Sequence, residues 1–180
     1  NLEENKIIDC LNKINLCFLF APNFHPILKN VADIRKKIGK RTIFNILGPL
    51  LSPVECKKQI IGVYDANILL NVAEVLKKLG TEYAWVVSGN KEYDELTTTG
   101  KNYIVEIKNN KIKELEIDSS IFGIEKSNKE DLIGGDSKKN AEIIKGILKG
   151  ELSGAKKDIV LLNSASALYI NGKTEDIKSG

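Results

Sequence analysis

Over residues 3–15 apolar side chains return every three or four positions, with Ile7, Cys10, Leu11 and Ile14 on one stripe, which predicts a helix. The next apolar run, Leu16 to Ala21, is short and stops at Pro22. His25-Pro26 predicts the opening of a second helix that reaches about Lys37, with Pro26 near its first turn and Gly39 past its end. Thr42 to Leu51 is apolar, but Gly48-Pro49 interrupts it and Pro53 follows, so a short helix and a turn are expected. Gln59 to Tyr64 and Tyr83 to Ser88 have the continuous apolar character of buried strands, on either side of a helical pattern from Ala66 to Leu79 that Gly80 closes. Strand, helix and strand with short links make a βαβ unit, whose two strands run parallel.

Asn102 to Ile107 and Lys111 to Ile117 are strand-like runs around Asn109-Asn110, a plausible hairpin turn. Residues 118–136 are rich in loop formers and end in Gly134-Gly135-Asp136. Ser137 to Lys149 predicts a helix ended by Gly150. Ile159 to Leu162 suits either a short buried strand or the start of a helix, and the Ala/Ser-rich stretch Asn163 to Tyr169 suits a closely packed helix ending at Asn171-Gly172. With no repeat and no low-complexity segment, the pattern predicts one α/β domain over 1–180. Its sheet is expected to be mainly parallel and flanked by helices, and residues 1–17 form a helix leading into it.

Composition narrows the function more than the fold. A net charge of +3 in 180 residues argues against a dedicated nucleic-acid binder. No apolar run approaches the roughly 18–20 residues a membrane span needs, so a soluble, cytoplasmic protein is expected. Cys10, Cys17 and Cys56 have no metal-ligand spacing and are expected to be small buried hydrophobes in a reducing compartment. There is no methionine and the chain opens on Asn1, which predicts a piece of a longer protein. Arginine is scarce: Arg35 and Arg41 are the only two among 27 basic residues, not far from the single histidine, His25.

A guanidinium offers a carboxylate or phosphate two parallel charge-assisted hydrogen bonds, which suits Arg35 to an anionic ligand. A solvated helix face beside Lys36 and Lys37 is the plainer reading from spacing alone. His25 fits a capping or packing role, and Arg41 an ion pair or carbonyl contact at the core edge. Asp94-Glu95 lies just beyond the strand ending near Ser88-Gly89, and in open α/β sheets ligands collect at the carboxyl ends of strands. Adjacent carboxylates there can hold Mg²⁺, a hard cation that takes oxygen ligands and bridges to substrate phosphates; an acidic surface turn is the plainer alternative. Thr97-Thr98-Thr99-Gly100 offers hydroxyls to such a site or forms a turn. Gly134-Gly135-Asp136 lacks the lysine of a P-loop and the dinucleotide fingerprint, so Asp136 is expected to cap the following helix.

Several blocks together, FLFAPNFHPILKNVADIRKKIGKRTIFNILGPLLSP at 18–53, GVYD at 62–65, VSGNKEYDEL at 87–96, GGDSKKNAEII at 134–144 and GAKKDIVLLNSASALYINGK at 154–173, resemble the C-terminal α/β domain of the anthranilate phosphoribosyltransferase family of tryptophan biosynthesis. The resemblance runs over nearly all of the chain from residue 18. It implies a nucleoside phosphorylase/phosphoribosyltransferase-like domain and an enzyme that joins anthranilate to 5-phosphoribosyl 1-diphosphate, releasing diphosphate with Mg²⁺. It further implies that Arg35 contacts the anthranilate carboxylate, that His25, Gly48 and Pro49 line the anthranilate tunnel, and that Asp94 and Glu95 hold Mg²⁺. No side chain of this stretch is assigned a covalent role, since displacement at the sugar's anomeric carbon depends on positioning and on charge stabilisation.

By the same resemblance, the family's N-terminal helical region with its dimer contacts, and its glycine-rich diphosphate loop, precede residue 1, and about one more helix follows Gly180. The parent is therefore expected to be a homodimer and these 180 residues alone to be inactive. Ile27, Leu28, Asp33 and Ser52 depart from the family's usual residues without removing a charged site residue. A pyrimidine nucleoside phosphorylase, a non-catalytic nucleic-acid-binding paralogue and a stand-alone interaction domain are the competing classes. The Arg35 and Gly48-Pro49 block counts against the first, and the low net charge with the acidic pair intact counts against the second.

Overall fold

The computed structural model describes residues 4–19, 21–27, 32–40, 42–52 and 54–180, the side chains of residues 4, 21, 22, 32, 33 and 35 excepted. The chain divides into two compact units, Asn1–Glu55 and Cys56–Gly180.

The first unit is helical: α1 (Glu4–Ile14), the single turn α2 (Ala21–Phe24), α3 (Ala32–Ile38) and α4 (Phe44–Leu50). On α1 the predicted stripe is only partly covered, for Ile7 is buried and Cys10 half-buried while Leu11 and Ile14 face solvent. The helix expected from His25 is present at its C-terminal end as α3, ending just before Gly39; residues 28–31 lie outside the described residues, and so do Arg41 and Pro53. Gly48-Pro49 does not form the expected turn but sits in the last turn of α4. The clash that normally drives the residue before proline out of the α region involves that residue's Cβ, which Gly48 lacks.

The second unit carries the sheet, with strands β1 (Lys58–Gly62), β2 (Tyr83–Gly89), β3 (Lys101–Lys108) and β4 (Lys111–Asp118) in spatial order β1-β2-β3-β4. A 3-10 turn (Ala66–Ile68) and α5 (Leu69–Lys78) link β1 to β2 as the predicted βαβ unit, and those two strands pair in parallel, Lys58 opposite Tyr83 and Gly62 opposite Val87. The mainly parallel sheet expected from the sequence is corrected here: β2 with β3 and β3 with β4 are antiparallel, so the sheet is mixed. The reason is the link. A parallel return needs a crossover of a dozen or more residues, usually helical, whereas β2 reaches β3 through residues 90–100, a loop with no helix. Asn109 and Asn110 turn the β3–β4 hairpin with φ of 50° and 62°, the left-handed pair of a type I′ turn.

Helices α6 (Lys129–Leu132), α7 (Ser137–Leu148) and α8 (Ala155–Asn171) follow. The ambiguous run Ile159 to Leu162 is helical, lying inside α8. The core forms on both faces of β2, which is buried along almost its whole length. Trp85 and Val87 join Leu96, Ile104, Leu162 and Ile170 in one cluster with α8. Strand alternation turns Ala84 and Val86 the other way, where Leu69, Val72, Ala73 and Leu76 of α5 are buried against β2 and β3. Each of the larger of these side chains contributes about 1.5–3 kcal/mol by leaving water. The cysteines are not the buried hydrophobes expected: Cys10 and Cys17 are half-buried and Cys56 is exposed. Among the described residues no helix is long and apolar enough to cross a membrane.

Candidate functional site

The loop 90–100 rises from the carboxyl end of β2 and folds back over the carboxyl end of its parallel neighbour β1. It starts tightly, with Asn90 and Lys91 both at positive φ (49° and 64°), and the amide of Asn90 bonds the Lys101 carbonyl at 2.7 Å to close the neck. Two glycines make its seat. Gly62 ends β1 and leaves no space for a Cβ because the backbone of Asp94 lies there; Gly89 ends β2, and a Cβ on it would come within 2.4 Å of the Glu95 carbonyl oxygen. The acidic pair is thus carried at the ends of the two parallel strands, where α/β sheets gather ligands.

Past the pair the chain dives into the core. Leu96 is fully buried in the α8 cluster, and Thr97, Thr98 and Thr99 are buried behind it. Two asparagine side chains take the backbone there. The Asn163 amide of α8 accepts from the Leu96 N–H at 3.1 Å and donates to the Leu96 carbonyl at 2.8 Å; the Asn102 amide of β3 accepts from the Thr97 N–H at 2.7 Å and donates to its carbonyl at 3.0 Å. The threonine hydroxyls serve the loop too: Thr97 and Thr99 bond each other at 3.0 Å and Thr98 bonds Ser127 at 2.6 Å. Ser88, fully buried just before Gly89, has a hydroxyl with no hydrogen-bonding partner among the described residues.

Asp94 and Glu95 both face solvent. Even so, the Glu95 carboxyl is hemmed in by enough protein to lose part of its hydration, and this first, then the neighbouring Asp94 carboxylate, pushes its pKa above the ordinary Glu value. Two adjacent oxygen donors that repel each other suit a hard cation, which would relieve the repulsion. Among the described residues no group of three or more His, Cys, Asp or Glu forms a complete protein cage; Mg²⁺ needs none, since one or two carboxylates with waters and substrate phosphates commonly complete its shell.

The other predicted residues lie in the first unit. His25 is half-buried after α2, Gly48 and Pro49 are exposed in the last turn of α4, and the Arg35 backbone is in α3, its side chain being outside the described set. Of the six, Asp94 and Glu95 are the two that lie in the second unit. Asp136 caps α7 as expected, accepting from the Lys139 amide at 2.8 Å, and both backbone groups of Gly135 are taken by Asn140. Gly62, Asn102 and Asn163 are the site-building residues that sequence reasoning missed. The acidic pair was visible as a motif; Asn163 lies 67 positions from Leu96 and gave no local sign.

A four-stranded mixed sheet with helices on its faces and an acidic loop at its strand ends defines an α/β domain, and over residues 1–180 the chain belongs to the glycosyl transferase family, a/b domain. Its relatives are specific. It is 46% identical to an anthranilate phosphoribosyltransferase of Clostridium kluyveri over 180 residues, all of this chain and 53% of that protein. The anthranilate phosphoribosyltransferase of Saccharomyces cerevisiae superposes with a TM-score of 0.88 in two structures. One is a complex with PRPP and Mg (28% identity, 98% of this chain and 51% of that one), the other a complex with 4-fluoroanthranilate (27% identity, the same coverages). The chain therefore spans about half the length of the relatives it matches.

Proposed function

We propose that this chain provides the metal-binding and anthranilate-binding part of an anthranilate phosphoribosyltransferase of tryptophan biosynthesis. That enzyme transfers the phosphoribosyl group of 5-phosphoribosyl 1-diphosphate to the amino group of anthranilate and releases diphosphate. The observation that carries the reading is the seat of Asp94-Glu95 on Gly62 and Gly89, with the Glu95 carboxyl pushed up by crowding and by its neighbour.

In this reading Asp94 and Glu95 hold Mg²⁺ through carboxylate oxygens, and the family resemblance adds Arg35 for the anthranilate carboxylate and His25, Gly48 and Pro49 for the walls around the ring. Bound Mg²⁺ supplies positive charge to offset that developing on the diphosphate. The residues of this chain orient the two reactants: the Arg35 fork fixes the plane of the anthranilate carboxylate, and the tethered loop keeps both acidic side chains in place. Orientation is a large share of such catalysis, because holding two reactants together removes much of the entropic part of the barrier.

Calorimetric titration of anthranilate and of Mg²⁺ with 5-phosphoribosyl 1-diphosphate into the intact protein, unsubstituted and as Arg35→Ala, tests this. The expected result is binding of both ligands by the unsubstituted protein and loss of anthranilate alone in Arg35→Ala. Binding of neither ligand by the unsubstituted protein would overturn the reading in favour of a non-catalytic paralogue.

A further inference from the structure

Asn163 occupies the interior of α8, where asparagine is a poor choice: its side chain competes with the backbone for hydrogen bonds and lowers helix propensity. Here that tendency is put to use. Besides bonding the Ile159 carbonyl of its own helix at 2.9 Å, the amide takes both the N–H and the carbonyl of Leu96, the residue directly after Glu95. One side chain thus treats a loop residue as a neighbouring strand would, and it fixes the plane of the Glu95–Leu96 peptide.

The loop is already tied down without it. The Leu96 side chain is fully buried, Asn102 holds Thr97 on both sides, and Thr98 is bonded to Ser127. The Glu95 carbonyl packs over Gly89, and Asn163 supplies the hydrogen bond that holds the other side of the same peptide, its N–H. Asp94 and Glu95 are neighbouring like charges, and a peptide released from that bond would relax by turning them apart. We infer that Asn163 is a positioning residue for the acidic pair: by locking the Glu95–Leu96 peptide to α8 it holds the two carboxylates close enough to share one divalent cation. The inference rests on the proposed metal-holding role of Asp94 and Glu95. A group that orients a metal ligand from behind typically changes metal affinity 10–100-fold when it is lost.

The test is titration of the intact protein with Mn²⁺ alone, the free ion being followed by electron paramagnetic resonance, alongside thermal unfolding of each variant. Asn163→Ala is expected to weaken Mn²⁺ binding about ten-fold while leaving the KM for anthranilate unchanged. Leu76→Ala, which opens a cavity in the α5 face of the core, serves as a variant of lowered stability whose Mn²⁺ affinity stays that of the unsubstituted protein. Asn163→Gln, which carries the amide one methylene out of place, covers failure of Asn163→Ala to fold and is expected to weaken Mn²⁺ likewise. If Glu95→Gln abolishes Mn²⁺ binding but both Asn163 variants bind within two-fold of the unsubstituted protein, this inference is overturned and the metal reading stands. If Glu95→Gln changes nothing, or the unsubstituted protein takes up no Mn²⁺, the metal reading falls and this inference with it.

Discussion

A β-carbon placed on Gly62 would lie 1.5 Å from the backbone carbonyl oxygen of Asp94. No rotamer change can relieve that contact, because the backbone fixes the β-carbon and the atom it meets is backbone. Gly62→Ala is therefore expected to displace the loop, costing about 3 kcal/mol in urea unfolding, the upper part of the usual range for overpacking. Mn²⁺ binding should be lost with it. A variant with unchanged stability and metal binding would show that the seat is not as close as described.

Glu95 links stability to pH. Its folded-state pKa lies above the ordinary Glu value, so between the two values the folded chain holds more proton than the unfolded one, and stability falls as pH rises through that window. At neutral pH the ionised group is a net cost. Glu95→Gln is expected to raise the melting temperature at about pH 7, with the gain vanishing near about pH 4, where the unfolded carboxyl is also protonated. Saturating Mg²⁺ should narrow the difference by stabilising the unsubstituted protein. Thermal melts across that range, with and without Mg²⁺, measure both.

Glu106 is the acceptor for two aromatic donors at once: the Trp85 indole N–H at 3.0 Å and the Tyr83 hydroxyl at 3.1 Å both reach its Oε1. Burial, then the adjacent Tyr169 and the Glu106 charge, push the Tyr83 phenol far up and keep it a donor. Glu106→Ala strands the buried Trp85 indole, while the half-buried Tyr83 keeps Tyr169 as a partner, and is expected to cost about 2 kcal/mol, since an unsatisfied buried group costs about 1–3 kcal/mol. Trp85 is the only tryptophan, so its emission reports the change directly during denaturant unfolding.

The hairpin turn offers a contrast in one position. Asn110 has φ of 62°, which asparagine and glycine tolerate and β-branched residues do not. Asn110→Val is expected to lose about 1–2 kcal/mol. Asn110→Gly should stay within about 0.5 kcal/mol of the unsubstituted chain, because Asn-Gly is a favoured pair for this turn. Urea midpoints for the two variants decide it.

Much of this architecture was legible from local pattern. The buried strands on either side of α5, the closure of that helix at Gly80 (φ +84°) and the Asn109-Asn110 turn each follow from residues within a few positions of one another. Strand direction was not legible, because it depends on what the link from β2 to β3 contains, and an acidic loop without a helix returns the chain antiparallel. The run Ile159 to Leu162 was ambiguous because four consecutive apolar residues carry no period, and only the length of α8 resolves them. For the site, Asp94-Glu95 stands out as charge beyond an apolar strand. The residues that build its seat are glycines and asparagines, whose roles arise from close backbone approaches across long sequence separations.

The two asparagine clamps also decide how the acidic loop comes apart. Loops ordinarily open on their own, well below the free energy of global unfolding. This one has its Leu96 and Thr97 amides bonded to side chains rooted in α8 and β3, and Leu96 itself is core. In hydrogen–deuterium exchange those two amides should therefore form a slow island, exchanging together with the strands beneath them. The acidic pair then belongs to the same cooperative unit as the sheet and disappears only when the sheet does.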